Sequence, residues 1–218
     1  LDEATVNIVV HGHEPALAEM LAVASRDPEI LDQARQAGAA GITLAGLCCT
    51  ANEILMRHGI PIAGSFLQQE LAIVTGAVEM MIIDVQCCMP SLTEVAQAYH
   101  TEVVSTSAIA RTIGATDMPF NAEDAYAQAK ALLARAIANF ARRDPARVAI
   151  PAVSEPLVAG FSVEAIKYML GGSYRASFRP LNDAVIQGRI AGVAGIVGCN
   201  TPRERMDDYT NALTRELL

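Results

Sequence analysis

No uninterrupted apolar run in this sequence reaches the roughly 18 to 20 residues that a membrane span needs. The opening Leu1-Asp2-Glu3 puts acids where a secretory leader carries basic residues. A basic excess is missing too: 16 Lys and Arg stand against 24 Asp and Glu, a formal charge of -8, which argues against nucleic acid and anionic lipid as partners. The one basic cluster, Arg142, Arg143 and Arg147, is too short to reverse that. Neither GxGxxG nor GxxxxGKS/T occurs, and Gly192, Gly195 and Gly198 are spaced differently from the first of these. Five cysteines, two adjacent pairs and a single, do not make a secreted disulfide framework, because neighbouring cysteines are poorly placed to bridge. These exclusions lead to the expectation of a cytoplasmic chain. The start without Met reads as part of something longer.

What is present is a surplus of apolar residues and a repeating order of elements. Hydrophobic residues make up 52% and charged ones 18% of 218 residues, more apolar than an average soluble domain, and the length suits one domain over 1–218. Residues 6–10 (VNIVV) form a β-branched run closed by His11-Gly12-His13-Glu14-Pro15; Pro15 suits a first helical turn, with Leu17, Met20 and Leu21 at helical spacing. A helix is predicted over 29–37, capped by Gly38. Residues 42–44 then read as a strand leading to Gly46-Leu47-Cys48-Cys49, and Thr50 with Glu53 makes a capping box for a helix over 51–57. Residues 80–85 (MMIIDV) are a third strand, followed by Gln86-Cys87-Cys88 and a helix opened by Pro90; residues 102–105 (EVVS) are a fourth. A long amphipathic helix over 121–143 is capped by Asn121, and its alanine-rich face suits close packing on another helix. Helices over 163–170 and 181–189 follow, then a strand over 193–197 (VAGIV) ending in Gly198-Cys199-Asn200, and a last helix over 203–217. Strands alternating with helices predict an α/β fold, a Rossmann-like parallel sheet flanked by helices.

His13, Cys49, Cys87 and Cys199 each lie just past the carboxyl end of a predicted strand, along the edge where an open parallel sheet binds its ligands. Thiolates are soft donors that suit iron-sulfur clusters, zinc, copper(I) and nickel, and an imidazole can take one corner. Tetrahedral zinc is a further option, although structural zinc sites use close CxxC pairs. The plainer reading takes each cysteine as a small buried hydrophobe and His13 as a turn histidine. His11, Glu14, Gln86 and Asn200 are placed to support such a site, while His58 and His100 read as structural or surface residues.

The stretches HGHEP, GLCCTANEILMRHGIP, QQELAIVTGAVEMMIIDVQCCMP, VAGFSVEAI and VGCN together resemble the nickel-iron carbon monoxide dehydrogenases of anaerobic bacteria and archaea, from about Val6 to Arg215. The resemblance implies the middle Rossmann-like domain of a longer, homodimeric subunit. In that family a Ni-Fe-S cluster, the C-cluster, oxidises CO with water to CO2, two protons and two electrons, which pass to a ferredoxin-like acceptor. By motif, His13 and Cys49 match ligands of the iron outside the cubane core, and Cys87 and Cys199 match ligands of core irons. Cys48 and Cys88 are not ligands by this match, and Cys88 stands where the family often has an aliphatic residue. Two further cluster cysteines, the cysteines of the electron relay, and the proton-handling histidine and lysine have no counterpart here. The 218 residues alone are therefore expected to be inactive or nearly so, either metal-free or holding partial iron-sulfur or zinc. Two other readings stay open: a metal-free Rossmann-like scaffold or dimerisation module with idle thiols, and a domain of a hybrid-cluster enzyme acting on nitrogen compounds.

Overall fold

The computed structural model describes residues 1–154, 160–172, 174, 176–199, 203–205 and 207–218; Asn200 and the Thr50 side chain, both named above, lie outside the described residues. The chain forms two compact units, Leu1–Ala152 and Val153–Leu218. The first contains β1 (Val6–His11), β2 (Ile42–Leu47), β3 (Ile62–Gly64), β4 (Val78–Ile83), β5 (Glu102–Ser105) and β6 (Thr116–Asp117). All neighbours pair in parallel, in the order β3-β2-β1-β4-β5-β6. This is the Rossmann-like sheet that the sequence predicts. Strand order reverses between β1 and β4, and that is where an open α/β sheet leaves a crevice at its carboxyl edge.

The two central strands, β1 and β4, are buried at every position. Strands covered on both faces need continuous apolar runs, which is what VNIVV and MMII supply. Successive side chains alternate between the faces. Ile8, Val10, Met80, Ile82 and Val104 pack with Leu17, Leu21, Ile30, Leu55, Leu132 and Leu133 of α1 (Pro15–Ala24), α2 (Pro28–Gln36), α3 (Cys49–Arg57) and the long α6 (Ala125–Phe140). Val9, Met81, Ile83 and Val103 pack with Ile73, Leu92 and Ala96 of α4 (Gln69–Val74) and α5 (Leu92–Gln97). The long amphipathic element is split: a 3₁₀ turn, Ala122–Asp124, which Asn121 caps by accepting the Glu123 N–H, precedes α6 (Ala125–Phe140). Ala129 and Ala136 are fully buried on α6, which packs on α1 as its alanine-rich face predicts.

Three expectations need correction. Helix α3 begins at Cys49, two residues before the predicted start, because the chain turns at Cys48 with φ 60 and ψ -163 and enters the helix at once. Glu53 pairs with Arg57 one turn on. In the second unit, 193–197 is not a strand: Val193 and Val197 are 94% and 92% exposed, Gly195 interrupts the run and Gly192 and Gly198 flank it, and among the described residues no strand pairs with it. The last helix starts at Asp208 rather than 203. The described helices of this unit, α7 (Val163–Leu170), α8 (Arg179–Ile186) and α9 (Asp208–Leu217), bury none of their residues.

At the amino edge of the sheet the basic cluster has a structural use. The fully buried Glu79 carboxylate accepts from Arg143 Nε at 2.7 Å and Nη2 at 2.6 Å, from His100 Nε2 at 2.8 Å and from the Asn7 N–H at 2.6 Å. Arg143 also donates to the carbonyls of Glu3, Thr5 and Ala77. His100 is thus structural, and His58, beside Glu19 and Arg26, is as well. Removing one partner of a buried pair leaves an uncompensated charge, so Arg143→Met is expected to lower stability by about 3–5 kcal/mol in urea unfolding. A loss under about 1 kcal/mol would mark the pair as no stronger than a surface one.

Asp27 ties α2 to α6 by capping the Glu29 N–H while accepting from Tyr126 Oη at 2.6 Å and Lys130 Nζ at 3.2 Å. The Tyr126 hydrogen bond first, then the capped amide, hold its carboxyl down at about 2. A carboxylate depressed on folding stabilises the fold above its unfolded value, about 3.9, and that contribution is lost as pH falls toward 2. Asp27→Asn should therefore flatten the stability profile between those values while leaving its shape near neutrality unchanged, as read from thermal melts across pH.

Candidate metal centre

Three of the four candidate ligands follow three adjacent strands. His13 comes after β1, Cys49 after β2 and Cys87 after β4, and β1 lies between the other two. Their loops are bonded to one another. Asp84, directly after β4, accepts from the backbone N–H groups of His13 at 2.6 Å and Glu14 at 2.5 Å. Gly12 makes this approach possible, since a Cβ built there would stand 2.0 Å from the Asp84 carboxylate. The Gly12 carbonyl in turn accepts from the Ala51 N–H at 3.2 Å, joining the first turn of α3, which begins at Cys49, to the His13 loop.

His13 Nδ1 donates to the Val85 carbonyl at 2.9 Å. That bond selects the Nδ1–H tautomer and leaves the Nε2 lone pair as the donor toward a metal, the usual way a carbonyl orients a ligating imidazole. The loop carrying Cys87 is sharply turned: Gln86 and Cys87 have φ of 66 and 57, left-handed conformations that cost a non-glycine residue about 1–3 kcal/mol each. Holding it are His11 Nε2, 3.2 Å from the Cys87 carbonyl, and Gln69 Nε2, 2.6 Å from the same oxygen. Burial lowers the pKa of His11, which keeps the ring neutral beneath the loop. Cys48 Sγ lies 4.0 Å from His11 Nε2.

The thiols differ in setting. Cys49 is exposed, Cys87 partly buried and Cys48 buried. Burial pushes the Cys88 thiol up to about 12, and its Sγ donates to the Gln86 carbonyl at 3.3 Å, which favours the protonated thiol. Cys199 belongs to the second unit, exposed at the end of a stretch, 190–199, that has no regular secondary structure. Of the proposed supporting residues, Glu14 caps α1 through the Ala16 N–H, and Gln86 is exposed. Sequence reasoning missed Asp84 and Gln69. An acid ending the apolar run MMII was a usable signal for Asp84; nothing local marks Gln69.

Buried polar atoms normally find partners. Among the described residues three buried side-chain atoms make no hydrogen bond, His11 Nδ1, Asn52 Oδ1 and Asp84 Oδ1, the last of them 3.8 Å from His13 Nδ1, and all three lie at this edge of the sheet. Unpartnered acceptors beside soft thiols and an oriented imidazole fit a metal or cluster site. Among the described residues no three His, Cys, Asp or Glu side chains stand close enough to hold one ion. Asp84→Ala would leave the His13 and Glu14 amides without an acceptor, at about 1–3 kcal/mol each. A fall of that size in denaturant unfolding is expected, whereas an unchanged midpoint would show that the carboxylate does not organise the edge.

Comparison with known proteins gives the family of the chain. A family model described as the Prismane/CO dehydrogenase family matches residues 1–218. The chain is similar to carbon monoxide dehydrogenase 1 of Methanosarcina acetivorans, at 48% identity over 218 residues covering 100% of this chain and 34% of that protein. It is 42% identical over 219 residues to the carbon monoxide dehydrogenase of Rhodospirillum rubrum, covering 100% of the chain and 34% of that protein. Among solved structures, the as-isolated, Ni-free carbon monoxide dehydrogenase of Thermococcus sp. AM4 matches with a TM-score of 0.84 at 47% identity, covering 100% of this chain and 34% of the other. The chain spans about a third of the length of the curated relatives it matches. Among the described residues, no helix is long and apolar enough to cross a membrane.

Proposed function

The chain belongs to the Prismane/CO dehydrogenase family, and from that premise we propose that it is the C-cluster-binding, Rossmann-like domain of a nickel-iron carbon monoxide dehydrogenase, within residues 1–218 of a longer subunit. The observation that carries this reading is the joining of the His13, Cys49 and Cys87 loops at the point where strand order reverses, with orphaned buried acceptors beneath them. When bound, a nickel-iron-sulfur cluster supplies the chemistry that turns CO and water into CO2, two protons and two electrons.

The chain's own residues do the holding and orienting. His13 would bind through Nε2, its ring fixed by the Val85 carbonyl, and Cys49 would bind with it. Cys87 and Cys199 would serve the core irons. Asp84 fixes the backbone that carries His13, and neutral His11 adds a hydrogen bond under Cys87 without adding charge. The same reading gives the intact protein a homodimeric, cytoplasmic life with a ferredoxin-like electron acceptor. A metal-free scaffold with idle thiols leaves the buried unpartnered acceptors without a purpose. The relatives named above carry the carbon monoxide dehydrogenase name, which favours CO over the nitrogen compounds of hybrid-cluster enzymes.

Two measurements test the proposal. After anaerobic reconstitution with iron and sulfide, Cys87→Ser should hold clearly less iron than the parent chain and Cys88→Ser the same amount; equal loss from both would remove the distinction between ligand and bystander. The 218 residues alone, carrying four of the ligand positions that the resemblance implies, should reduce no dye under CO. Robust CO-dependent reduction would contradict the assignment of the chain as a partial site.

A further inference from the structure

Gln69 opens α4, which the sequence pattern does not reveal, and its side chain is fully buried. Both ends of its amide are used. Nε2 donates to the Cys87 carbonyl at 2.6 Å, and Oε1 accepts from the Met89 N–H at 3.0 Å. The amide therefore spans Cys88 and grips the backbone on either side of it. Just ahead of this grip, Gln86 and Cys87 hold successive left-handed conformations that neither residue type favours. No glycine lies between residues 77 and 113 to relieve the turn. A conformation of this kind persists only when surrounding bonds over-determine it.

We propose that Gln69 is a positioning residue that sets the Cys87 turn for metal ligation before any metal arrives, by clamping the Cys87 carbonyl and the Met89 amide. The geometry favours Gln69 over His11 as the principal clamp. His11 contributes one longer contact to the carbonyl alone, whereas Gln69 supplies the donor and the acceptor together and does so from a different helix. An amide suits the task because it presents both roles with no charge to desolvate. Glutamate could still accept from Met89 but would face the Cys87 carbonyl with a second acceptor. The inference rests on the reading of Cys87 as a ligand, and the test separates the two.

The metal-free chain is compared as wild type, Gln69→Leu and Gln69→Glu, with Asn139→Ala as a control; Asn139 is another buried amide, which bonds the Glu79 and His100 carbonyls at the opposite edge of the sheet. Hydrogen exchange across residues 86–89 should quicken by about tenfold or more in both Gln69 variants, beyond any change in the core strands. In Asn139→Ala it should move only in step with the whole unit. Exchange over 86–89 that tracks global stability in every variant would overturn the clamp. Zinc retention against a chelator then supplies the second readout. Both Cys87→Ser and Gln69→Leu should lower it, the latter by about tenfold, as loss of an outer hydrogen bond to a ligand does. If Cys87→Ser lowers retention and Gln69→Leu does not, the positioning role fails alone. If Cys87→Ser retains zinc like wild type, Cys87 is no ligand, and the reading on which the inference rests fails with it.

Discussion

One carboxylate organises the carboxyl edge of this sheet. Asp84 reaches from the end of β4 across to the loop after β1 and takes two backbone N–H groups, those of His13 and Glu14. That contact requires a residue without a side chain at position 12, where the carboxylate fills the space a Cβ would need. It fixes the mutual position of the two central strands' loops at the reversal in strand order, and through the Gly12 carbonyl it fixes the start of α3 as well. Without it, the loop that carries His13 would lose its backbone tie to β4, and more of the entropy of ordering His13 and Cys49 would fall on whatever ligand they bind.

The two edges of the sheet handle buried charge differently. At the amino edge Glu79 is saturated, with two bonds from Arg143, one from His100 and one from the Asn7 amide. At the carboxyl edge, among the described residues, Asp84 and Asn52 each keep one buried oxygen, and His11 its Nδ1, without a hydrogen bond. A fold built only for stability would satisfy both edges. The saturated edge anchors the sheet; the unsaturated one is where the structure departs from full consistency, which is where function is expected. The fully buried β1 and β4 run between the two and transmit the anchoring.

Much of this was legible in the residues because burial on both faces leaves a strong mark. The β1 and β4 runs, the helical spacing of Leu17 and Leu21, and the position of His13 and Cys87 just beyond those runs are all visible in the sequence. β3, with three residues, and β6, with two, are too short to carry a periodic signal. The stretch 193–197 shows the opposite fault: valines and isoleucine spaced by glycine and alanine look like a strand, but strand formation depends on a neighbour to pair with and a face to cover, and here Val193 and Val197 stay exposed. Within the site, the ligand-type residues were readable from strand ends and from family resemblance. Asp84 and Gln69 were not, because their roles are bonds to backbone groups 70 and 18 residues away in the chain, which no local pattern encodes. The start of α3 at Cys49 was likewise hidden by the left-handed turn at Cys48.

The central claim is that His13, Cys49 and Cys87 face one metal environment at the carboxyl edge of the sheet. Iron-edge X-ray absorption on the anaerobically reconstituted chain tests it most directly. The account predicts a shell of sulfur scatterers with one nitrogen contribution, and loss of that nitrogen contribution, with the sulfur kept, in His13→Ala. A shell of oxygen and nitrogen alone, or a spectrum indifferent to His13, would contradict it.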